Sequence, residues 1–284
     1  MKNCLSWKRY WNKKKKKSDI IFRIITVILL CVMVFSAYKV VSILLEYHNG
    51  KSAYDALADI AGTGKSAGAG ILGSSGEDDP EFLDINWEAL MAKGSDVKGW
   101  LRSRGTSINY PVVQGSDNDY YLTHIMTGES SRYGSLFIDY RCEDPFNCFM
   151  TVIYGHRMMN DSMFNRLGDY FDDADYARTH PIMQLYTPDC NYYLEIFGAM
   201  HVDANNTSVY DMFIPEDDSA ARQAYIDMIL AGNELAGYSG GVSVSGSDRI
   251  VMMSTCTYDY GDDRIVVWGK LTPMNSSAGS NAQG

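Results

Sequence analysis

Cys256 and Arg264 are spaced so that a thiol and a guanidinium could act on the same group. Cys256 ends the apolar segment DRIVMMSTC, and seven residues separate it from Arg264, which opens the segment RIVVWGKL. If the two segments form a hairpin, the two residues face each other about 5 Å apart. A neighbouring guanidinium favours the thiolate form of a cysteine and offers donors for a developing oxyanion. An inert buried cysteine beside a surface arginine is the alternative.

A histidine at a matching position could supply the base. The chain has five His, and His156 follows the apolar run FMTVIYG, just as Cys256 ends its own run. Strand ends converge at the rim of a β-barrel, where binding and catalytic sites usually lie. An imidazole at the rim could take the thiol proton and later protonate a leaving amine. A histidine with a purely structural role is the alternative.

Short apolar runs separated by turn residues predict a mainly β fold. They are rich in β-branched and aromatic residues, and they read SINYPVVQ, GSLFIDY, CFMTVIYG, IMQLYTP, YYLEIFGAMHV, DRIVMMSTC and RIVVWGKL. Such a series predicts a closed barrel or a sandwich with peripheral helices. Helical spacing predicts a helix over 84–101 that breaks near Gly94, one over 162–170, and one over 219–230 with Asp217 or Ser219 as the cap.

The N-terminal region predicts a membrane anchor. Residues 1–23 contain nine Lys or Arg and one acid, whereas the whole chain has a net charge of −10. The apolar run over 20–38, interrupted only by Arg23, is long enough to cross a bilayer once as a helix. The positive-inside rule then predicts a cytoplasmic basic tail over 1–19 and an extracellular chain after the membrane. A cleaved signal peptide is the alternative, and the acidic body argues against nucleic acid as a partner.

Composition divides the remaining chain into segments. We expect a transmembrane anchor with its juxtamembrane residues over 20–45, and a flexible stalk over 46–80, where Gly, Ser and Ala dominate. A folded extracellular domain is expected over 81–272, followed by a disordered polar tail over 273–284. Cys142 and Cys148 flank the short loop EDPFN between two predicted strands, so a disulfide between them is sterically conceivable.

Several segments together resemble the class B sortases over residues 84–271. The resemblance rests on TVIYGHRM around His156, on STCTY around Cys256, on Arg264 opening RIVVWGKL, and on the chain order His, Cys, Arg. The entry strand INYPVVQ, the strand GSLFIDYR, the N-terminal anchor and the helix before the last two strands are similar too. Met253 departs from the family, which usually has Leu there, but this exchange conserves volume.

The resemblance implies an eight-stranded sortase-type β-barrel with an N-terminal helix and a peripheral helix before the last two strands. It implies that Cys256 is the nucleophile, that His156 is the general acid and base, and that Arg264 stabilises the substrate and the oxyanion. It further implies substrate-binding positions at Tyr154, Ser254, Asn118 and Leu122.

The implied activity is transpeptidation. A membrane-anchored sortase cleaves a sorting motif near the C-terminus of a secreted protein, holds the acyl part as a thioester and passes it to an amino group of the cell-wall precursor. The expected partners are these surface proteins, the peptidoglycan amine and the membrane around 20–38, and no cofactor or metal is expected. A papain-like peptidase is an alternative, although its order is Cys before His. The other alternative is a non-catalytic membrane-tethered binding domain.

Overall fold

The computed structural model describes residues 2–62, 81–203, 206, 208–236, 241–256 and 263–274. Within these residues the strands are β1 (Val97–Arg102), β2 (Asn109–Val113), β3 (Leu136–Ile138), β4 (Met150–His156), β5 (Ile182–Tyr186), β6 (Asn191–Asp203), β7 (Ile250–Cys256) and β8 (Asp263–Pro273). The helices are α1 (Lys2–Ala61), α2 (Trp87–Met91), α3 (Asp169–Asp172), α4 (Ala174–Thr179) and α5 (Ser219–Ala231), with 3-10 turns at Tyr120–Leu122 and Asn165–Gly168.

The strands close into one barrel in the order β1-β2-β3-β4-β7-β8-β6-β5. Strand β1 completes it by pairing antiparallel with both β2 and β5. Large apolar side chains fill the interior, among them the fully buried Trp100, Phe137, Phe197 and Trp268. The eight-stranded, mainly β barrel with peripheral helices confirms the predicted fold class.

Strand β1 is the one barrel strand that the apolar runs did not predict. The sequence predicts a helix over 84–101 here, but the structure has only the short helix α2, followed by the strand from Val97. Five of the six β1 residues are buried, because strands pair on both edges of β1 and its large side chains pack in the core. This nearly continuous burial removes the alternation that marks a half-exposed strand.

The other helix predictions differ in extent. The segment over 162–170 forms the 3-10 turn Asn165–Gly168 and the start of α3. The helix over 219–230 is confirmed as α5, but its cap is Asp218, whose side chain accepts from the amide of Ala221 at 2.9 Å. The sequence proposed Asp217 or Ser219 for this position, one residue away on either side, which is within the usual error of helix boundaries.

The chain divides into two compact units, residues 1–49 and 50–284. In the first unit, α1 carries exposed apolar side chains from Ile20 onward. By length and composition, one helix in the described part of the chain, over Ile20–Ala61, could cross a membrane, and a signal sequence would have the same features.

The beginning of the second unit differs from the stalk expected over 46–80. Helix α1 continues to Ala61, and its last turns bury Tyr54, Leu57, Ala58 and Ala61, an i, i+3, i+4, i+7 pattern that packs one helix face. The Tyr54 hydroxyl donates to the Gly134 carbonyl, and its ring meets Tyr110 edge-on at 5.1 Å. The Gly-rich part over 63–80 lies outside the described residues, and so does 275–284 of the tail expected over 273–284, whose first residue, Pro273, ends β8.

Candidate active site

His156 and Cys256 are register partners at the ends of two neighbouring parallel strands. Strands β4 and β7 pair in unbroken register from Met150 opposite Ile250 to His156 opposite Cys256. Adjacent strands lie about 4.8 Å apart. The ladder therefore places the backbones of these two predicted site residues next to each other at one rim of the barrel.

Strand β8 brings the predicted arginine to the same rim. It pairs antiparallel with β7 as far as Ser254 opposite Val266, and continuing that register by two residues sets Cys256 opposite Arg264. The Thr255 hydroxyl holds this end of the hairpin, because its Oγ1 accepts from the Ile265 amide at 3.1 Å. Arg264, which is half-buried, also pairs with Val202 of β6. The three predicted catalytic residues thus lie on the adjacent strands β4, β7 and β8.

The imidazole of His156 is buried and oriented by a backbone carbonyl. Its Nε2 lies 2.6 Å from the carbonyl oxygen of Leu122, which ends the 3-10 turn Tyr120–Leu122. A carbonyl oxygen only accepts, so Nε2 carries a proton in this hydrogen bond. In the neutral ring, Nδ1 is then the nitrogen that can accept a proton.

A layer of polar side chains lies two residues before His156 and Cys256 on the same two strands. Tyr154 and Ser254 are register partners, and Ser254 is fully buried. The Tyr210 hydroxyl lies 3.0 Å from Ser254 Oγ, and the Tyr210 ring stacks on Tyr154 with centroids 6.4 Å apart. This layer links β4 and β7 to the segment between β6 and α5.

A buried carboxylate, paired with a partly exposed arginine, supports Tyr154 from the loop after β3. The Tyr154 hydroxyl donates to Asp139 Oδ2 at 3.0 Å, and Arg141 donates to both Asp139 oxygens at 2.8 and 2.7 Å. Burial and the neighbouring Asp139 charge raise the pKa of Tyr154, so its hydroxyl stays a donor. Burial would raise the pKa of Asp139, but the hydrogen bonds and charge of Arg141 outweigh it and hold that pKa below its ordinary value.

The remaining predicted substrate positions lie on the segment before β3. Leu122 is half-buried, and its main-chain carbonyl is the partner of His156. Asn118 is also half-buried, and its Oδ1 accepts from the Tyr140 amide at 3.1 Å. Leu122 therefore contacts the candidate catalytic histidine directly, whereas Asn118 bonds the loop after β3.

Asp139, Arg141 and Tyr210 are site residues that the sequence motifs do not predict. Asp139 and Arg141 did carry a signal, because they follow the apolar run GSLFI at a strand end, as His156 follows its own run. Tyr210 carried none, since it lies in an irregular segment more than forty residues before Ser254. Only the folded chain brings its hydroxyl to β7.

No metal-binding group is found in the part of the chain that the structure describes, where three or more His, Cys, Asp or Glu side chains nowhere come together suitably. The rim itself brings together a thiol-bearing residue, an oriented imidazole and a guanidinium-bearing residue on three adjacent strands. This set suits nucleophilic attack on a carbonyl followed by protonation of the leaving group.

Comparisons with known proteins identify the family. The family model for the sortase domain matches residues 102–272. Sortase B of Listeria monocytogenes is 33% identical over 249 residues, which cover 87% of this chain and 95% of that protein.

Solved structures share the barrel. A sortase B–substrate complex of Staphylococcus aureus superimposes with a TM-score of 0.60 at 30% identity, covering 66% of this chain and 84% of that one. Sortase B of B. anthracis has a TM-score of 0.65 at 26% identity, covering 81% of this chain and all of that one. The resemblance seen in the sequence is confirmed: this chain belongs to the sortase family of cysteine transpeptidases, within class B.

Proposed function

We propose that this sortase is anchored in the cell membrane by residues 20–38 and joins secreted proteins to the cell wall. It cleaves a sorting motif near the C-terminus of each protein and transfers the acyl part to an amino group of the peptidoglycan precursor. The catalytic residues are Cys256, His156 and Arg264. The observation that carries the proposal is the register pairing of His156 with Cys256 at the rim of the barrel.

The first half of the reaction forms a thioester. The Cys256 thiol gives its proton to His156 Nδ1, and the sulfur attacks the scissile carbonyl carbon. Arg264 donates to the oxyanion of the tetrahedral intermediate. His156 then returns the proton to the departing amine, the C–N bond breaks, and the acyl group remains on sulfur.

The second half transfers the acyl group. An acceptor amine attacks the thioester carbonyl, its excess proton passes to His156, and the C–S bond breaks. The thiolate recovers a proton from the imidazolium, which restores the starting state. The hydrogen bond of Nε2 to Leu122 supports this cycle, because it keeps the ring in one orientation while Nδ1 gains and loses the proton.

The substrate groove is formed by Tyr154, Ser254, Asn118 and Leu122. Two observations support this proposal: Tyr154 and Ser254 lie one layer below His156 and Cys256, and the Leu122 carbonyl accepts from His156. The Staphylococcus aureus neighbour was solved as a substrate complex, which is consistent with a peptide lying across the same barrel.

The catalytic domain spans residues 81–272 and lies outside the cell. The exposed apolar side chains of α1 from Ile20 onward support a single membrane crossing. The basic run over 13–17 favours a cytoplasmic N-terminus by the positive-inside rule. The sortase family argues against both the papain-like peptidase and the non-catalytic binding domain.

The test uses the full chain in detergent micelles with a library of sorting-motif peptides and an amine acceptor, with products identified by mass. We expect Cys256→Ala to abolish cleavage and ligation. Cys190→Ala is the matched control, because Cys190 lies at the turn between β5 and β6, and it should keep full activity. Full turnover by Cys256→Ala would refute the proposal.

A second pair of variants tests the acid and base. His156→Ala should lower kcat/KM by about 10²- to 10⁴-fold, the range typical of a general acid or base. His201→Ala is the control, since this exposed histidine pairs with Glu234 at 2.9 Å on the surface. Equal losses in the two variants would exclude His156 from proton transfer.

A further inference from the structure

Cys142 and Cys148 form a close pair of thiols on the loop between β3 and β4. Their sulfur atoms lie 3.4 Å apart, and no disulfide joins them in this structure. Cys142 is buried, whereas Cys148 is half-buried. We propose that this pair is a redox modification site, which forms an intramolecular disulfide by exchange with a small-molecule or protein disulfide. The proposal does not depend on the proposed function.

The loop holds the two cysteines in place from several sides. The Cys142 amide donates to the Asp139 carbonyl at 3.0 Å, and the Cys142 carbonyl accepts from Gln114 Nε2 at 2.7 Å. At the other end of the loop, the Cys148 amide donates to the Asp144 carbonyl at 3.2 Å. The closeness of the sulfurs thus follows from an ordered backbone.

Phe146 adds to this order. Its φ of 69° lies in the left-handed region, which is unfavourable for a bulky side chain. The buried ring keeps it there, its amide donates to Thr151 Oγ1 at 2.8 Å, and its carbonyl accepts from Arg249 Nη1 at 2.9 Å. A disulfide bond is about 2.05 Å long, so the two sulfur atoms, now 3.4 Å apart, must approach by about 1.4 Å to form one.

The two thiols have different reactivity. A hydrogen bond from the Cys142 thiol lowers the pKa of Cys148 to about 7, and Thr151, whose Oγ1 lies 3.6 Å from the Cys148 sulfur, acts in the same direction against the effect of burial. The same thiol contact and burial raise the pKa of Cys142. Cys148 is therefore the more accessible and the more nucleophilic thiol, and Cys142 is the resolving thiol behind it.

The exchange proceeds in two balanced steps. The Cys148 thiolate attacks one sulfur of the oxidant, which releases one thiolate and leaves a mixed disulfide on Cys148. The Cys142 thiol loses its proton, attacks the Cys148 sulfur and expels the second thiolate. The protein loses two protons and two electrons, and the oxidant is reduced from one disulfide to two thiols.

The experiment is a redox titration of the full chain in detergent micelles. A Cys256→Ala background removes the candidate nucleophile, and mixtures of reduced and oxidised glutathione set the potential. After alkylation and digestion, we expect a peptide with Cys142 linked to Cys148 as the main product, ahead of any adduct on Cys190. The equilibrium should favour the disulfide at least tenfold more in the folded chain than in the chain unfolded by urea, because the loop holds the sulfurs together.

Two single variants test the order of attack. Cys142→Ser should leave Cys148 trapped as a glutathione adduct, whereas Cys148→Ser should leave Cys142 unmodified over the same interval. Circular dichroism checks that both variants fold, and the wild-type titration decides the matter if one does not. The proposal fails if no linked peptide forms in excess oxidised glutathione, or if folding leaves the equilibrium unchanged. An adduct on Cys142 rather than Cys148 would overturn the assigned roles.

Discussion

Tyr154 donates a hydrogen bond of 3.0 Å to the fully buried carboxylate of Asp139. Tyr154 lies two residues before His156 on β4, and Asp139 follows β3. The hydrogen bond therefore connects the strand that carries the candidate base to the neighbouring loop. Since Arg141 neutralises the same carboxylate, the arrangement keeps a buried charge paired directly below the rim.

Removing the Tyr154 hydroxyl should destabilise the barrel. Tyr154→Phe keeps the ring packing on Phe137 and Tyr210 but removes one donor from a buried carboxylate, which costs about 1 to 3 kcal/mol of unfolding free energy. Urea denaturation of the full chain in micelles measures this loss. Tyr120→Phe is the control, because Tyr120 is 44% exposed, and it should change the unfolding free energy little. An equal loss of unfolding free energy in the two variants would contradict the role assigned to Tyr154.

The Asp139 carboxylate should make stability depend on pH in the acid range. Because its pKa is lower in the folded chain than in the unfolded chain, its stabilising effect is complete above the unfolded value and is lost as pH falls through the folded value. The difference in urea midpoint between wild type and Asp139→Asn should therefore be largest at neutral pH and shrink on acidification. Asp175→Asn, at a carboxylate that is 79% exposed beside Arg178, should show little difference at any pH.

The geometry of Arg264 should matter as well as its charge. Arg264→Lys keeps the positive charge but loses the planar set of donors that can hold a carbonyl and an oxyanion together. We expect kcat/KM to fall by about tenfold or more, somewhat less than the loss of a whole oxyanion donor. Arg178→Lys, at an arginine that is 72% exposed on α4, should retain normal kinetics. Wild-type kinetics for Arg264→Lys would remove this residue from the proposed site.

Gly155 allows β4 to pack closely next to the candidate base. A Cβ at this position would lie 2.5 Å from Leu136 Cδ2 and 2.7 Å from Phe164 Cδ2. Gly155→Ala should therefore cost about 1 to 3 kcal/mol through overpacking, and it should lower activity because the displaced strand carries His156. Thermal unfolding and kcat/KM measure the two effects. Gly241→Ala, where nothing lies within 4 Å of an added Cβ, should leave both unchanged.

Local patterns predicted much of the fold, and their failures have specific causes. The alternating and apolar runs located seven of the barrel strands, because each presents β-branched and aromatic residues between turns. Strand β1 was missed since nearly all its side chains are buried, which hides the strand period. The last turns of α1 were missed because the adjacent Gly-rich composition outweighed the buried stripe of Tyr54, Leu57, Ala58 and Ala61.

The sequence by itself determined the family, the apolar N-terminal helix, the hairpin that sets Arg264 opposite Cys256, and the three residues proposed to act. These features depend on short spacings and on residue types that neighbours along the chain reveal. Only the tertiary structure decided that β4 pairs parallel with β7, which makes His156 and Cys256 register partners on neighbouring strands. It also decided that Asp139 and Tyr210 support Tyr154. Such contacts join residues far apart in the chain, and barrel closure, which depends on how all strands pair and pack at once, brings them together.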